Sequence, residues 1–289
     1  MPRVPHRPPQ LVGRIFRGSA AIERGLLTRK QLYGSAWRRV FHDVYVDAEV
    51  PDTHALRCRA AGLILPAGSA VTGRSAACLQ GLPLGRPHEP VQVLAPSTSR
   101  CRAKGLRIHH GVLPAAQVLP GPPPVTVPAR TAWEIAREPD SVEAVAALDV
   151  LLSHRYVSSQ TLAAWAAAKP RSGAAAAIRL ADARAESPQE SRTRVRLVRA
   201  GFPAPLPQYI VRADGTFVAR VDLAWPAVRV AVEYDGAWHG NSEQFRRDRA
   251  RLNRLTEAGW TVLFVTAQDL ADPERFGRFC AQLAAALRR

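Results

Sequence analysis

Residues 221–236 read VDLAWPAVRVAVEYDG. Two apolar runs flank the turn Trp225-Pro226-Ala227-Val228, the pattern of two strands joined back to back. Strand side chains alternate, so Val230, Val232 and Tyr234 fall on one face of the second run. Ala231, Glu233 and Asp235 fall on the other, the two acids ~7 Å apart at Cα by strand geometry. If Pro226 and Ala227 form a two-residue loop, Asp222 lies opposite Ala231 with Glu233 as its diagonal neighbour, and Arg220 stands directly opposite Glu233. Carboxylates clustered on an apolar sheet are costly without a positive partner. Mg²⁺ (or Mn²⁺) would supply one, since it takes hard oxygen ligands and can activate water against a phosphodiester. A salt bridge from Arg220 to Glu233 is the plain alternative.

Working outward, Ser187-Pro188-Gln189-Glu190 opens a helix, with Ser187 as N-cap and Pro188 at its first position. Glu190 is either the third-position partner of a capping box or a helix-borne acid of the same site. Downstream, His239 follows the acids and is placed to position water or a leaving group. Residues 242–260 read as a helix capped by Ser242, with Phe245, Leu252 and Leu255 inward. Arg247, Arg251 and Arg254 form a basic stripe suited to phosphates, or else a solvated face. WTVLFV (260–265) reads as a buried strand, and Asp269 begins the last helical region.

The front of the chain predicts a different layout. LVGRIF (11–16) reads as a short helix, and Thr28 caps a second that begins at Arg29. Ser35 caps a third over Trp37–Val40, and FHDVYV (41–46) alternates like a strand. Helix, turn, helix and wing is the winged-helix order, in which Lys30, Arg38 and Arg39 would meet DNA phosphates. A solvated basic face is the alternative. Residues 52–155 read as mixed α/β. They hold strands at 91–96 and 106–111, Thr131 as a helix cap, and a helix buried through Val142, Val145, Leu148 and Leu152. His109 and His110 point to opposite faces and so are not a metal pair. The expected fold is therefore multi-domain α/β. A winged-helix head spans 1–47, an α/β unit 48–155, an Ala-rich helical connection 156–186, and a mixed sheet flanked by helices 187–289.

Charge points the same way. Lys and Arg number 40 against 24 Asp and Glu, a net charge of +16. The excess is +6 over residues 1–47, +5 over 48–112, near zero over 113–184 and +4 over 185–289. A polyanion, most simply DNA, is the partner this implies. Only Lys30, Lys104 and Lys169 are lysines, and a GC-rich coding bias would explain that ratio equally well. No apolar run approaches the ~20 residues that span a bilayer, and MPRVPHRPPQ lacks the apolar core of a secretory signal. Cys58, Cys78, Cys101 and Cys280 are scattered without CxxC spacing, which argues against zinc or disulfide frameworks. A cytoplasmic protein is expected.

Two stretches resemble known families. VTGRSAACLQGLPL (71–84), the strands VQVLAP and LRIHHG, and VPARTAWEIAREPDSVEAVAALDVLL (127–152) resemble the antitoxin of type IV abortive-infection toxin–antitoxin systems, over roughly residues 10–155. That resemblance implies a DNA-binding head and a cognate toxin of unknown identity. VDLAWPAVRVAVEYDGAWHG followed by RRDRARLNRLTEAGWTVLFV is similar to the endonuclease-like domain of the very-short-patch-repair type, in the PD-(D/E)XK superfamily, over about 185–285. The second resemblance implies Mg²⁺-dependent DNA cleavage. The helix acid would be Glu190 and the metal-binding acids Asp222 and Glu233, with Glu190 or Asp235 completing the metal site, His239 of the Trp238-His239 step assisting, and Arg247-Asp248 as the helix motif. The superfamily lysine is replaced by Asp235, and the structural zinc of the mismatch enzyme has only Cys280 to draw on. RNA stays an open substrate, because nothing here reads a 2′-hydroxyl. The rival reading is a DNA-binding regulator whose nuclease-like fold only binds.

Overall fold

Gly13 adopts a left-handed backbone (φ 68°) just after the turn in which Leu11 N donates to Pro8 O. That turn ends any helix over 11–16, so the expected one does not form. The computed structural model describes residues 5–236 and 242–288, without the side chains of 242–245. The chain continues as β1 (Ile15–Arg17), α1 (Gly18–Glu23), α2 (Arg29–Leu32), β2 (Trp37–Phe41) and β3 (Val44–Asp47). Thr28 caps α2 as expected, in a reciprocal box with Gln31. The expected helix over Trp37–Val40 is instead β2. Gly34 stops α2 after one turn, and the aromatic and β-branched residues at 37, 40 and 41 suit a pleated surface. These strands form a sheet in the order β1-β3-β2. It packs Phe16, Trp37 and Tyr45 against Leu27 and Leu32, with Phe16 meeting Trp37 edge to face at 5.2 Å.

There follow α3 (His54–Ala61), β4 (Ala70–Val71), α4 (Gly73–Leu79), β5 (Val91–Ala95), β6 (Leu106–His110), β7 (Val118–Leu119), β8 (Val125–Thr126) and α5 (Pro128–Ala136). The sheet order is β6-β5-β4-β8-β7, with β5 and β6 parallel. Phe41 and Val44 share a core with Cys58, Val71, Val91 and Val93. Thr131 is not a cap. It is fully buried inside α5, bonded to Thr126 at 2.7 Å, because the helix already begins at Pro128.

The chain divides into two compact units between Ile135 and Ala136. The second holds α6 (Ser141–Ser153), α7 (Ser159–Ala167), α8 (Gly173–Leu180), α9 (Pro188–Arg199), β9 (Leu206–Ala213), β10 (Thr216–Trp225), β11 (Val230–Asp235), α10 (Ser242–Glu257), β12 (Thr261–Thr266), α11 (Ala267–Ala271) and α12 (Pro273–Leu287). Asp140 caps α6, and its predicted stripe of Val142, Val145, Leu148 and Leu152 is buried. Within this unit, buried Asp149 on α6 accepts from Arg194 on α9 at 2.7 Å and from Asp182 N at 2.7 Å. Burial raises the Asp149 carboxyl above its ordinary value, and Arg194 pulls it back. Removing either charge would strand the other in the interior.

The sheet runs β12-β11-β10-β9, antiparallel except for the parallel β11–β12 pair. Leu223, Val232, Phe279 and Leu283 pack in one cluster, and Ala224, Ala231, Leu255 and Trp260 in another. The expected buried strand at 260–265 is half-buried, with Phe264 44% exposed. The molecule is thus mixed α/β, with three sheets among the described residues, none of whose helices is long and apolar enough to cross a membrane.

Candidate functional site

The turn between β10 and β11 sets the register of the acids. It is a single helical turn over Pro226–Val228, closed by Arg229 in the left-handed region (φ 50°), rather than a two-residue loop. Two extra loop residues shift the pairing by two. Ala224, not Asp222, stands opposite Ala231, with Leu223 opposite Val232. One step further along that register, Asp222 comes opposite Glu233 itself. Arg220 pairs across β9 with Ile210 and reaches Glu186 at 2.8 Å, so it does not neutralise Glu233.

That task falls to Arg251 of α10. Its guanidinium holds both Glu233 oxygens, Nη1 at 2.8 and 2.9 Å. The Arg stripe therefore does not present three equivalent cations. Arg251 turns inward, while Arg247 and Arg254 are exposed. Asp222 accepts from Tyr234 N at 2.9 Å and from Gln208 Nε2 at 3.4 Å. The same Gln208 Nε2 donates to Glu190 Oε2 at 2.8 Å, and Glu186 N donates to that oxygen at 3.1 Å. Ser187 caps α9 through Glu190 N as expected, but Glu190 does not close the capping box, because its carboxylate is taken up by Gln208 and Glu186 N.

Glu190, Asp222 and Glu233 are thus brought to one place by α9, β10 and β11, stitched by Gln208 and Arg251. Burial pushes Glu233 up to about 7, further raised by Asp222 and opposed by Arg251. Burial also raises Asp222, with Glu190 adding to the effect and the Tyr234 amide and Arg251 opposing it. Beside these acids lies an open cleft of about 420 Å³, lined in part by Glu233, Tyr234, Asp235, Asp248, Arg251 and Phe264. Asp235 is exposed at the end of β11. His239, the Ser242 cap and the Phe245 side chain lie outside the described residues.

Sequence reasoning does not reach Gln208. Its signal is a lone amide in the β9 sequence Leu-Pro-Gln-Tyr-Ile, with a left-handed backbone (φ 51°) that marks a break in the strand. The donor set does not fit a resident divalent ion in this arrangement. Gln208 Nε2 lies between Glu190 and Asp222, Arg251 covers Glu233, and no group of three or more His, Cys, Asp or Glu among the described residues is arranged to hold a metal.

In the front unit, Lys30 lies exposed on α2 and Arg39 exposed on β2, neither ion-paired among the described residues. Arg38 is occupied. It pairs with Asp52 at 3.2 Å and donates to Val50 O at 2.9 Å.

The family comparison agrees with part of the antitoxin resemblance. The AbiEi antitoxin C-terminal domain matches residues 67–183, starting later and reaching further than the 10–155 expected. The chain is 36% identical over 204 residues to "Uncharacterized protein Rv2248" of Mycobacterium tuberculosis (strain ATCC 25618 / H37Rv), which covers 69% of this chain and 74% of that one. The match to "Uncharacterized protein MT2308" of Mycobacterium tuberculosis (strain CDC 1551 / Oshkosh) has the same extent. The chain belongs to the family of these two proteins. The crystal structure of RV2827C protein from Mycobacterium tuberculosis aligns at a TM-score of 0.38 with 17% identity, over 69% of this chain and 78% of that one, too slight a likeness to carry an argument.

Proposed function

We propose that this chain is a DNA-binding regulator of the antitoxin type. The observation that carries the reading is the AbiEi antitoxin C-terminal match over residues 67–183. The net charge of +16 supports it, as do unpaired, exposed cations ahead of that domain. The finer reading gives the head a winged-helix role, with α2 and the β2–β3 hairpin approaching the duplex. Lys30 and Arg39 then meet phosphates, while Arg38 braces the head against Asp52. A footprint on a duplex from upstream of the protein's own gene, unaffected by EDTA, is the test. Lys30→Ala and Arg39→Ala should each lower the slope of log K against log salt by about 1. Arg38→Ala should instead lower the melting midpoint. No retention of any duplex at low salt would overturn the proposal.

A second reading is a phosphodiester hydrolase of the PD-(D/E)XK type. It draws on the convergence of Glu190, Asp222 and Glu233 from three elements beside an open cleft, and it requires Gln208 and Arg251 to release the carboxylates they hold in this arrangement before an ion could enter. Plasmid cleavage in MgCl₂ or MnCl₂ that is lost in Asp222→Ala would put this reading first. Intact plasmid under both salts would overturn this reading and leave the network of Glu190, Asp222 and Glu233 with Gln208 and Arg251 as a binding or structural feature.

A further inference from the structure

Between Glu89 and Glu134 the chain carries no Asp or Glu, yet it contains Arg100, Arg102, Lys104 and Arg107, besides Arg130, which pairs with Glu134. The first three lie in the connection between β5 and β6. Parallel neighbours are usually joined by a helical crossover, but residues 96–105 make this one without a helix. The loop is nevertheless fixed. Ser99 N donates to Pro96 O at 2.9 Å, Leu106 N to Ala103 O at 3.1 Å, and Val91 N to Gly105 O at 2.9 Å. Gly105 takes φ 90°, where a Cβ would sit 3.0 Å from the Phe41 ring.

This anchoring gives the loop two sides. Cys101, Ala103 and Gly105 are half-buried, while Arg100, Arg102 and Lys104 between them are exposed. Arg107 is exposed on β6, the edge strand of its sheet. None of the four makes an ion pair or side-chain hydrogen bond among the described residues. Four like charges on a fixed ridge repel one another, and a polyanion relieves that repulsion. A protein partner fits less well. Protein interfaces centre on clustered apolar and aromatic anchors, and the exposed residues flanking the ridge are Ser97, Thr98 and His110, with Val112 as a single large apolar side chain beyond them.

We propose that the ridge of Arg100, Arg102, Lys104 and Arg107 is a second duplex-DNA contact, binding phosphates without reading bases and separate from the Lys30 and Arg39 contacts. It rests on the DNA-binding reading above. The test compares three full-length proteins on one duplex across a salt series. They are the wild type, a ridge variant with Arg100→Gln, Arg102→Gln, Lys104→Gln and Arg107→Gln, and a control with Arg155→Gln, Lys169→Gln, Arg171→Gln and Arg288→Gln. The control removes the same charge from exposed positions elsewhere. Each lost phosphate contact removes about 0.9 from the log–log slope, so the ridge variant should lose up to about 3.6 and the control under 1. At 0.15 M salt the ridge variant should bind on the order of 100-fold more weakly than wild type. Its melting midpoint should hold, since no described ion pair is removed. Equal slopes for ridge variant and control would overturn the ridge. So would competition by poly-L-glutamate as effective, charge for charge, as competition by duplex, which would point to an acidic protein partner. Failure of the wild type to bind any duplex would instead remove the DNA-binding reading itself.

Discussion

At the residue scale, Glu233 links the stability of the fold to pH. Its carboxyl stands near 7 when folded, against an ordinary 4.5. Between those values the folded chain binds more of this proton than the unfolded chain does, so unfolding becomes easier as pH rises. The contribution is fully present below about 4.5 and is lost as pH climbs through 7. Asp222, also raised, acts in the same direction. At 1.36 kcal/mol per pK unit, the Glu233 part is bounded at about 3 kcal/mol. Denaturant unfolding at pH 5 and pH 8 should show wild type losing stability on going up, and Glu233→Gln losing clearly less. The Gln oxygen can still accept from Arg251, so the comparison isolates the buried charge. Equal losses in both proteins would mean that Glu233 is ionised throughout and that Arg251 outweighs its burial.

At the scale of elements, short connections decide more than strands do. The β5–β6 crossover depends on Gly105, whose φ of 90° and 3.0 Å approach to Phe41 leave no room for a side chain. Gly105→Ala should destabilise by about 1–3 kcal/mol, read from a denaturant midpoint, through backbone strain plus displacement of Phe41. A shift under about 0.5 kcal/mol would show that the crossover yields freely. Connections also explain what the sequence makes legible. The strands at 91–95, 106–110, 216–225 and 230–235, the Ser187 and Thr28 caps, and the buried stripe of α6 follow from periodicity and cap chemistry acting locally. The partners of the acids do not. Asp222 and Glu233 are legible as one cluster, but their register hangs on whether the Pro226 turn holds two residues or four, and the longer turn carries Arg229 in a conformation no pattern announces. Arg251 reads in sequence as part of a solvated stripe because helical spacing fixes an angle around the axis, not which side chain finds a buried carboxylate. Trp37–Val40 becomes a strand because pairing with β3 outweighs four residues of helix potential.

At the scale of the whole molecule, the charge is almost wholly arginine, and that has a consequence independent of which patch binds. Lys30, Lys104 and Lys169 are the only lysines, so the remaining Lys and Arg positions of the 40 are guanidinium groups. Guanidinium is planar, stays protonated to beyond pH 12 and can engage a phosphate with two donors at once. Acylating the amines of the folded protein with an N-hydroxysuccinimide ester should therefore leave most duplex binding in place. Only Lys30 in the head and Lys104 on the ridge would be lost as contacts, so the log–log salt slope should fall by no more than about 2. An arginine-directed dicarbonyl should abolish binding, and duplex present during the reaction should protect it. Binding that disappears on acylation but survives dicarbonyl treatment would place the interaction on the three lysines. The excess of arginine would then be no more than a trace of coding bias, and both the Arg39 contact and the ridge would fall with it.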